Sequence, residues 1–189
     1  LDELIDSPIE IGNHQVWNFK VNNIPHQIAF FGQAKVDSVK FIADVKKMAE
    51  TAQGVVGQHP CDHYVFIIHN IQRGTGGLEH LYSTTCSVSR TSYETPVGYQ
   101  GVLNLLAHEY FHLWNVKRIR PIALGPFDYE QENYTHNLWF SEGITSYYAD
   151  VINLRTKMVG PDAYLVDLAK EIASVENTPG AHIESAAAS

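Results

Sequence analysis

Two histidines four positions apart, with a glutamate directly after the first, stand in His108-Glu109-Tyr110-Phe111-His112. If 102–114 is helical, His108 and His112 project from one face a turn apart, and their imidazoles can converge on a single cation. Neutral imidazole nitrogens suit zinc, which in catalytic sites takes three protein ligands and leaves a fourth position to water. Glu109 is placed to lean over the open side of that ion without ligating it. A third ligand is expected downstream, and Glu142 is the best candidate, because a helix over 141–151 would turn its carboxylate towards the first helix. The expected centre is one zinc ion on His108, His112 and Glu142. Such a string arises by chance in roughly a few per cent of chains this long, so its surroundings matter. Val102, Leu103, Leu105, Leu106, Phe111, Leu113 and Trp114 make the helix apolar on nearly every side. It should therefore be buried, and buried polar groups need partners.

The elements that would position these groups follow from pattern. Residues 15–21 alternate apolar and polar, 22–25 read as a turn, and 27–31 as a second strand, which together make a hairpin. A helix is expected over 36–55, where Val36, Val39, Phe41, Ile42, Val45 and Met48 recur near helical period and Gly54 and Gly57 end it. Tyr64-Val65-Phe66-Ile67-Ile68 reads as a strand covered on both faces. The glycines of 71–77 lack phosphate-binding spacing and read as a flexible stretch, after which 78–87 returns to strand composition. A polar loop over 89–100 leads to the histidine-bearing helix. Beyond it, Pro121 stops helical continuation and 123–136 reads as a long loop. Helices are expected over 138–157 and from Pro161, at a first helical position, to 175. The fold class is α+β, a small mixed-sheet lobe over 1–100 followed by a mainly helical lobe over 101–189. The final Ala186-Ala187-Ala188-Ser189 reads as the start of a further element.

With 189 residues the chain can fill one domain, and its net charge of −8 argues against nucleic acid or an anionic membrane as the main partner. No apolar run is long enough to span a membrane. The acidic opening Leu1-Asp2-Glu3-Leu4-Ile5-Asp6 is not a signal peptide, although the abrupt start and stop read as those of a fragment. Cys61 and Cys86 are too few for a disulfide framework and leave the compartment open.

Gly76-Gly77-Leu78-Glu79-His80, the long run from His108-Glu109 through Leu113-Trp114-Asn115-Val116-Lys117-Arg118-Ile119-Arg120-Pro121, and Trp139-Phe140-Ser141-Glu142-Gly143 together resemble the glycyl aminopeptidase family of zinc peptidases. Asp6-Ser7-Pro8-Ile9-Glu10 and Thr178-Pro179-Gly180 add to the likeness. The resemblance implies a gluzincin with a thermolysin-like catalytic domain, zinc on His108, His112 and Glu142, and Glu109 as general base. It also implies a substrate-edge strand in which Gly76, Gly77 and Glu79 bind the peptide, with Glu79 holding its free amine. Leu78 and His80 stand where related aminopeptidases carry methionine and asparagine. Family members often add an N-terminal β-rich domain and a C-terminal PDZ domain, and neither is visible in this sequence.

Three functions follow: an aminopeptidase favouring small first residues such as glycine, a gluzincin endopeptidase, or a zinc-stabilised peptide-binding module. Glu79 has the alternative of a surface carboxylate beside Arg73 or Arg90. Tyr134, His136 and Tyr148 are candidates for an oxyanion donor, with packing or surface roles as their alternative. Asn104 and Asn115 either fix a histidine tautomer or satisfy loop backbone. Arg118 and Arg120 are expected to pair with acidic side chains, with binding of a substrate carboxylate as the alternative. His14, His26, His59, His63, His69 and His182 lack partners at ligand spacing and are read as non-catalytic.

Overall fold

The computed structural model describes residues 1–188, so that Ser189 of the expected further element lies outside the described residues. Five strands form one mixed sheet in the order β1-β2-β3-β5-β4. Strands β1 (Gln15–Val21) and β2 (Ile24–Phe31) make the expected hairpin, closed by Asn22 and Asn23 at φ 47° and 72°. Two successive left-handed residues of this type give the turn whose twist matches that of the flanking strands. A short helix α1 (Asp2–Ile5) precedes them, and helix α2 (Ser38–Val56) carries the chain from β2 to its parallel neighbour β3 (Tyr64–Ile71).

The core lies between the sheet and two helices, α2 and α3 (Pro96–Phe111). Phe41, Val45, Met48 and Ala49 of α2 and Leu103, Leu106 and Tyr110 of α3 meet Phe30, Tyr64, Phe66 and Ile68 of the strands, all with at most 2% exposure. The Tyr110 ring lies 4.9 Å from that of Tyr64 and 5.5 Å from that of Phe66. Its hydroxyl sits 2.8 Å from His26 Nε2 and 2.9 Å from His59 Nε2, so α3 is anchored to β2 through His26 and to the connection between α2 and β3 through His59. Burial lowers the pKa of both, that of His26 to about 4, and keeps the network uncharged at neutral pH.

Three elements depart from expectation. Helix α3 begins at Pro96, inside the polar segment read as a loop. Thr95 caps it, Oγ1 accepting from Gly98 N–H at 3.1 Å, and proline fits the first turn because no N–H is needed there. The segment read as one strand over 78–87 divides into β4 (Thr75–Glu79) and β5 (Ser83–Ser89), paired antiparallel around a turn that His80 N–H closes on Ser83 O. The glycine stretch is thus largely strand, and β4 is the sheet's edge. The helix expected over 138–157 starts as a π-helical turn, Trp139–Ile144, before becoming α4 (Thr145–Arg155). Helix α5 (Pro161–Asn177) follows, with no buried residue.

The N-terminal segment crosses the sheet face opposite the helices, beside Val65 and Ile67. Asp6 fastens it, accepting from Leu81 N–H and from Lys117 Nζ, each at 2.7 Å. Burial pushes the Asp6 pKa up, but His80, Lys117 and the Leu81 N–H outweigh it and hold the carboxyl at about 2. Because the folded value lies below the unfolded one, the stabilisation is present above the ordinary aspartate range and is lost as pH falls towards 2. Discounted for partial exposure, it is worth about 1 kcal/mol. Asp6→Asn should lower the urea-unfolding free energy by that amount at neutral pH, and the gap to the parent should close in acid.

Candidate metal centre

Helix α3 brings His108 and His112 one turn apart, with ring centroids 4.7 Å apart. The partners of their Nδ1 atoms set the ring orientations. His112 Nδ1 lies 2.7 Å from the Asn115 carbonyl and 3.4 Å from Thr145 Oγ1, and His108 Nδ1 lies 3.3 Å from Ser146 Oγ. A backbone carbonyl can only accept, so His112 carries its proton on Nδ1 and turns Nε2 inwards. The two Nε2 atoms are 3.1 Å apart, and Glu142 Oε2 is 3.2 Å from that of His108 and 3.5 Å from that of His112.

This triangle fits a small cation. Tetrahedral ligands on zinc at its usual bond lengths stand about 3.3 Å from one another, which is the spacing of these three atoms. Two imidazole nitrogens and a carboxylate oxygen also match zinc's ligand preference. Without a cation the same groups attract a proton. Burial disfavours charge on His112, yet Glu142, Glu79 and the Asn115 carbonyl raise its pKa, while hydrogen bonds from both histidines hold Glu142 far below the carboxylate range.

Glu142 reaches the triangle from the π-helical turn, and Asn115 holds that turn. Its Nδ2 lies 3.1 Å from Phe140 O, 3.0 Å from Ser141 O and 3.0 Å from Thr145 Oγ1. A π-helical turn widens the backbone spiral and frees carbonyls from their usual partners, and here one buried amide collects them. Asn115 therefore serves both sides, orienting His112 through its backbone and the Glu142 turn through its side chain.

Glu109 lies beside the triangle, 4% exposed, with Oε2 buried and without a hydrogen-bond partner. Burial pushes its pKa up to about 7 against the pull of the two imidazoles. Facing it is Gly77 of β4, where a Cβ would stand closer than 3.0 Å to the Glu109 carboxyl carbon and Oε1. Gly77 is thus the residue that gives Glu109 its place. At Gly76 a Cβ would meet nothing within 4 Å. Glu79, the last residue of β4, brings a carboxylate oxygen within 4.8 Å of ligand atoms of Glu109 and His112. Among the described residues no ion pair joins it to Arg73 or Arg90.

Other candidates lie elsewhere. Tyr134 is 78% exposed and bonds Glu132, and Tyr148 stacks on Phe111 at 4.7 Å. Asn104 pairs with Asn153 at 2.8 Å rather than with a histidine. Arg118 donates to the carbonyls of Leu113 and Leu81 instead of to a carboxylate, and Arg120 lies over the Phe127 ring. Sequence reasoning missed Ser146, Thr145 and the steric role of Gly77. Of these only Ser146 carries a signal, lying four residues after Glu142 and so one turn along.

The family model for M61 glycyl aminopeptidase matches residues 101–189. Among 23 matching solved chains is an aminopeptidase N family protein from Idiomarina loihiensis, 34% identical, with a TM-score of 0.78. The match covers 82% of this chain and 27% of that one, so the chain spans about a quarter of that relative's length. No curated protein sequence matches.

Removing the Asn115 side chain takes a buried donor from Phe140 O and from Ser141 O, which keeps only Thr145 Oγ1, at a cost of about 2–3 kcal/mol. Asn115→Ala should lose that much in chemical denaturation, whereas Asn104→Ala, which breaks partly buried bonds to Asn153 and Asp150, should lose about 1 kcal/mol.

Proposed function

Because this chain belongs to the glycyl aminopeptidase family, we propose that it is the catalytic part of a zinc-dependent aminopeptidase that removes N-terminal residues from peptides. The observation that carries this reading is the buried, unpartnered carboxylate of Glu109 beside three ligand atoms spaced as zinc requires. In the proposed thermolysin-like arrangement, the whole chain is one catalytic domain, with a sheet lobe over 1–100 and a helical lobe over 101–189.

His108, His112 and Glu142 would hold the ion, which when bound supplies Lewis acidity that acidifies a water in its open position and polarises a peptide carbonyl. Glu109 takes the proton of the attacking water and returns it to the leaving nitrogen. Its seclusion from solvent raises its basicity, and Gly77 leaves the space that its carboxylate occupies. Strand β4 has a neighbour on one side only, so a peptide can add to its free edge as a further strand. Glu79 then lies where the ammonium of the first residue would end, and the charge-assisted bond between them favours a free N-terminus. A preference for small first residues such as glycine rests on the family.

Glu109→Gln should lower kcat on a dipeptide by about 100- to 10,000-fold with bound zinc unchanged. N-acetylation of the substrate should abolish cleavage by the parent; undiminished cleavage would make the protein an endopeptidase, and peptide binding without any turnover would make it a binding module. Gly77→Ala presses only on the end of a side chain. It should leave the unfolding midpoint nearly unchanged while lowering kcat/KM by about 100-fold, the cost of a displaced catalytic group.

A further inference from the structure

Away from this centre, Glu10, His14 and His69 come together from segments far apart in sequence. Glu10 and His14 lie in the irregular segment that leads into β1, and His69 lies near the end of β3, paired with Phe31 and Ser87. Successive strand residues face opposite sides. Ile68 enters the core between sheet and helices, so His69 points to the other face, where the N-terminal segment runs.

The three side chains are set towards one point. Glu10 Oε2 lies 3.4 Å from His14 Nε2, and Glu10 Oε1 lies 3.0 Å from His69 Nε2. One ligand atom from each residue falls within 4.8 Å of the others. The Phe31 ring packs near both imidazoles, its centroid 5.5 Å from that of His14 and 6.1 Å from that of His69, and limits how either can turn. At Gly12 an added Cβ would come within 3.3 Å of His14 Cε1, so this glycine lets the chain pass close to the ring.

The His14 side chain is only 10% exposed, and its Nε2 is buried with no hydrogen-bond partner, although it faces Glu10. A buried ring nitrogen without a partner is uncommon and calls for an explanation such as a missing ion. Glu10 and His69 keep 29% and 31% exposure, which leaves a side open for water to complete a coordination shell.

We propose that Glu10, His14 and His69 form a second metal site, which takes a first-row divalent cation such as Zn2+ and staples the N-terminal segment to β3. Two imidazoles and one carboxylate select such a cation over Mg2+ or Ca2+, which prefer all-oxygen shells. The segment already has one fastening at Asp6, and the ion supplies a second where it enters the sheet.

The site can be counted apart from the one on α3. Zinc bound to the metal-stripped chain after equilibrium dialysis, measured by elemental analysis, should be two equivalents for the parent. It should be one for His112→Ala and none for His112→Ala combined with His69→Ala. In the His112→Ala background, zinc should raise the thermal unfolding midpoint, and Glu10→Gln, a mild change at an exposed side chain, should remove most of that rise. A His112→Ala chain that binds no zinc, or a double variant that still holds one equivalent, would overturn the proposal. A parent that holds a single equivalent in all, and loses it on His112→Ala, would leave the α3 centre standing and the second site refuted.

Discussion

Helix α3 carries Glu109 and His112 into the core almost out of reach of water, and an acid and an imidazole held there must be compensated by whatever surrounds them. Much of the neighbouring structure can be understood as that compensation. The Asn115 carbonyl accepts the outer nitrogen of His112, Glu142 comes to its inner nitrogen, and Ser146 meets the outer nitrogen of His108. Glu109 keeps a carboxylate oxygen without a partner, and the same dry surroundings that make this costly make it a stronger base.

Two local irregularities serve this arrangement. The π-helical turn ahead of α4 places Glu142 at the imidazoles, and Asn115 gathers the carbonyls that the turn leaves free. At the sheet edge, Gly77 brings β4 up to Glu109 more closely than any side chain would allow. The sheet and the helices therefore meet at the centre through an atom that is absent, a Cβ, as much as through groups that are present.

Local pattern made part of this legible in advance. The mixed sheet, the hairpin at Asn22-Asn23, the covered strand at 64–68 and the Pro161 helix start all depend on neighbours in sequence, and the structure contains each. His108, His112 and Glu142, picked out by residue type and spacing, lie with their ligand atoms within 3.5 Å of one another. What escaped depends on distant pairing. The division of 78–87 into two strands follows from antiparallel pairing across a turn, and composition alone cannot register it. The pressure of Glu109 on Gly77 joins residues 32 positions apart, and the approach of His69 to Glu10 spans 59. Thr95-Pro96 was a helix-start signal in plain view, hidden by the polar residues around it.

The phenol of Tyr110 projects from the back of α3 and is gripped by His26 and His59. Neighbouring residues on a helix are about 100° apart around its axis, so no small roll of α3 can find the phenol another pair of bonding atoms. The helix is keyed like a shaft in a slot. The aim of the imidazoles at its front is accordingly not a quantity that drifts with temperature or with gentle crowding from the far side; it holds until the key shears, and then it is gone altogether.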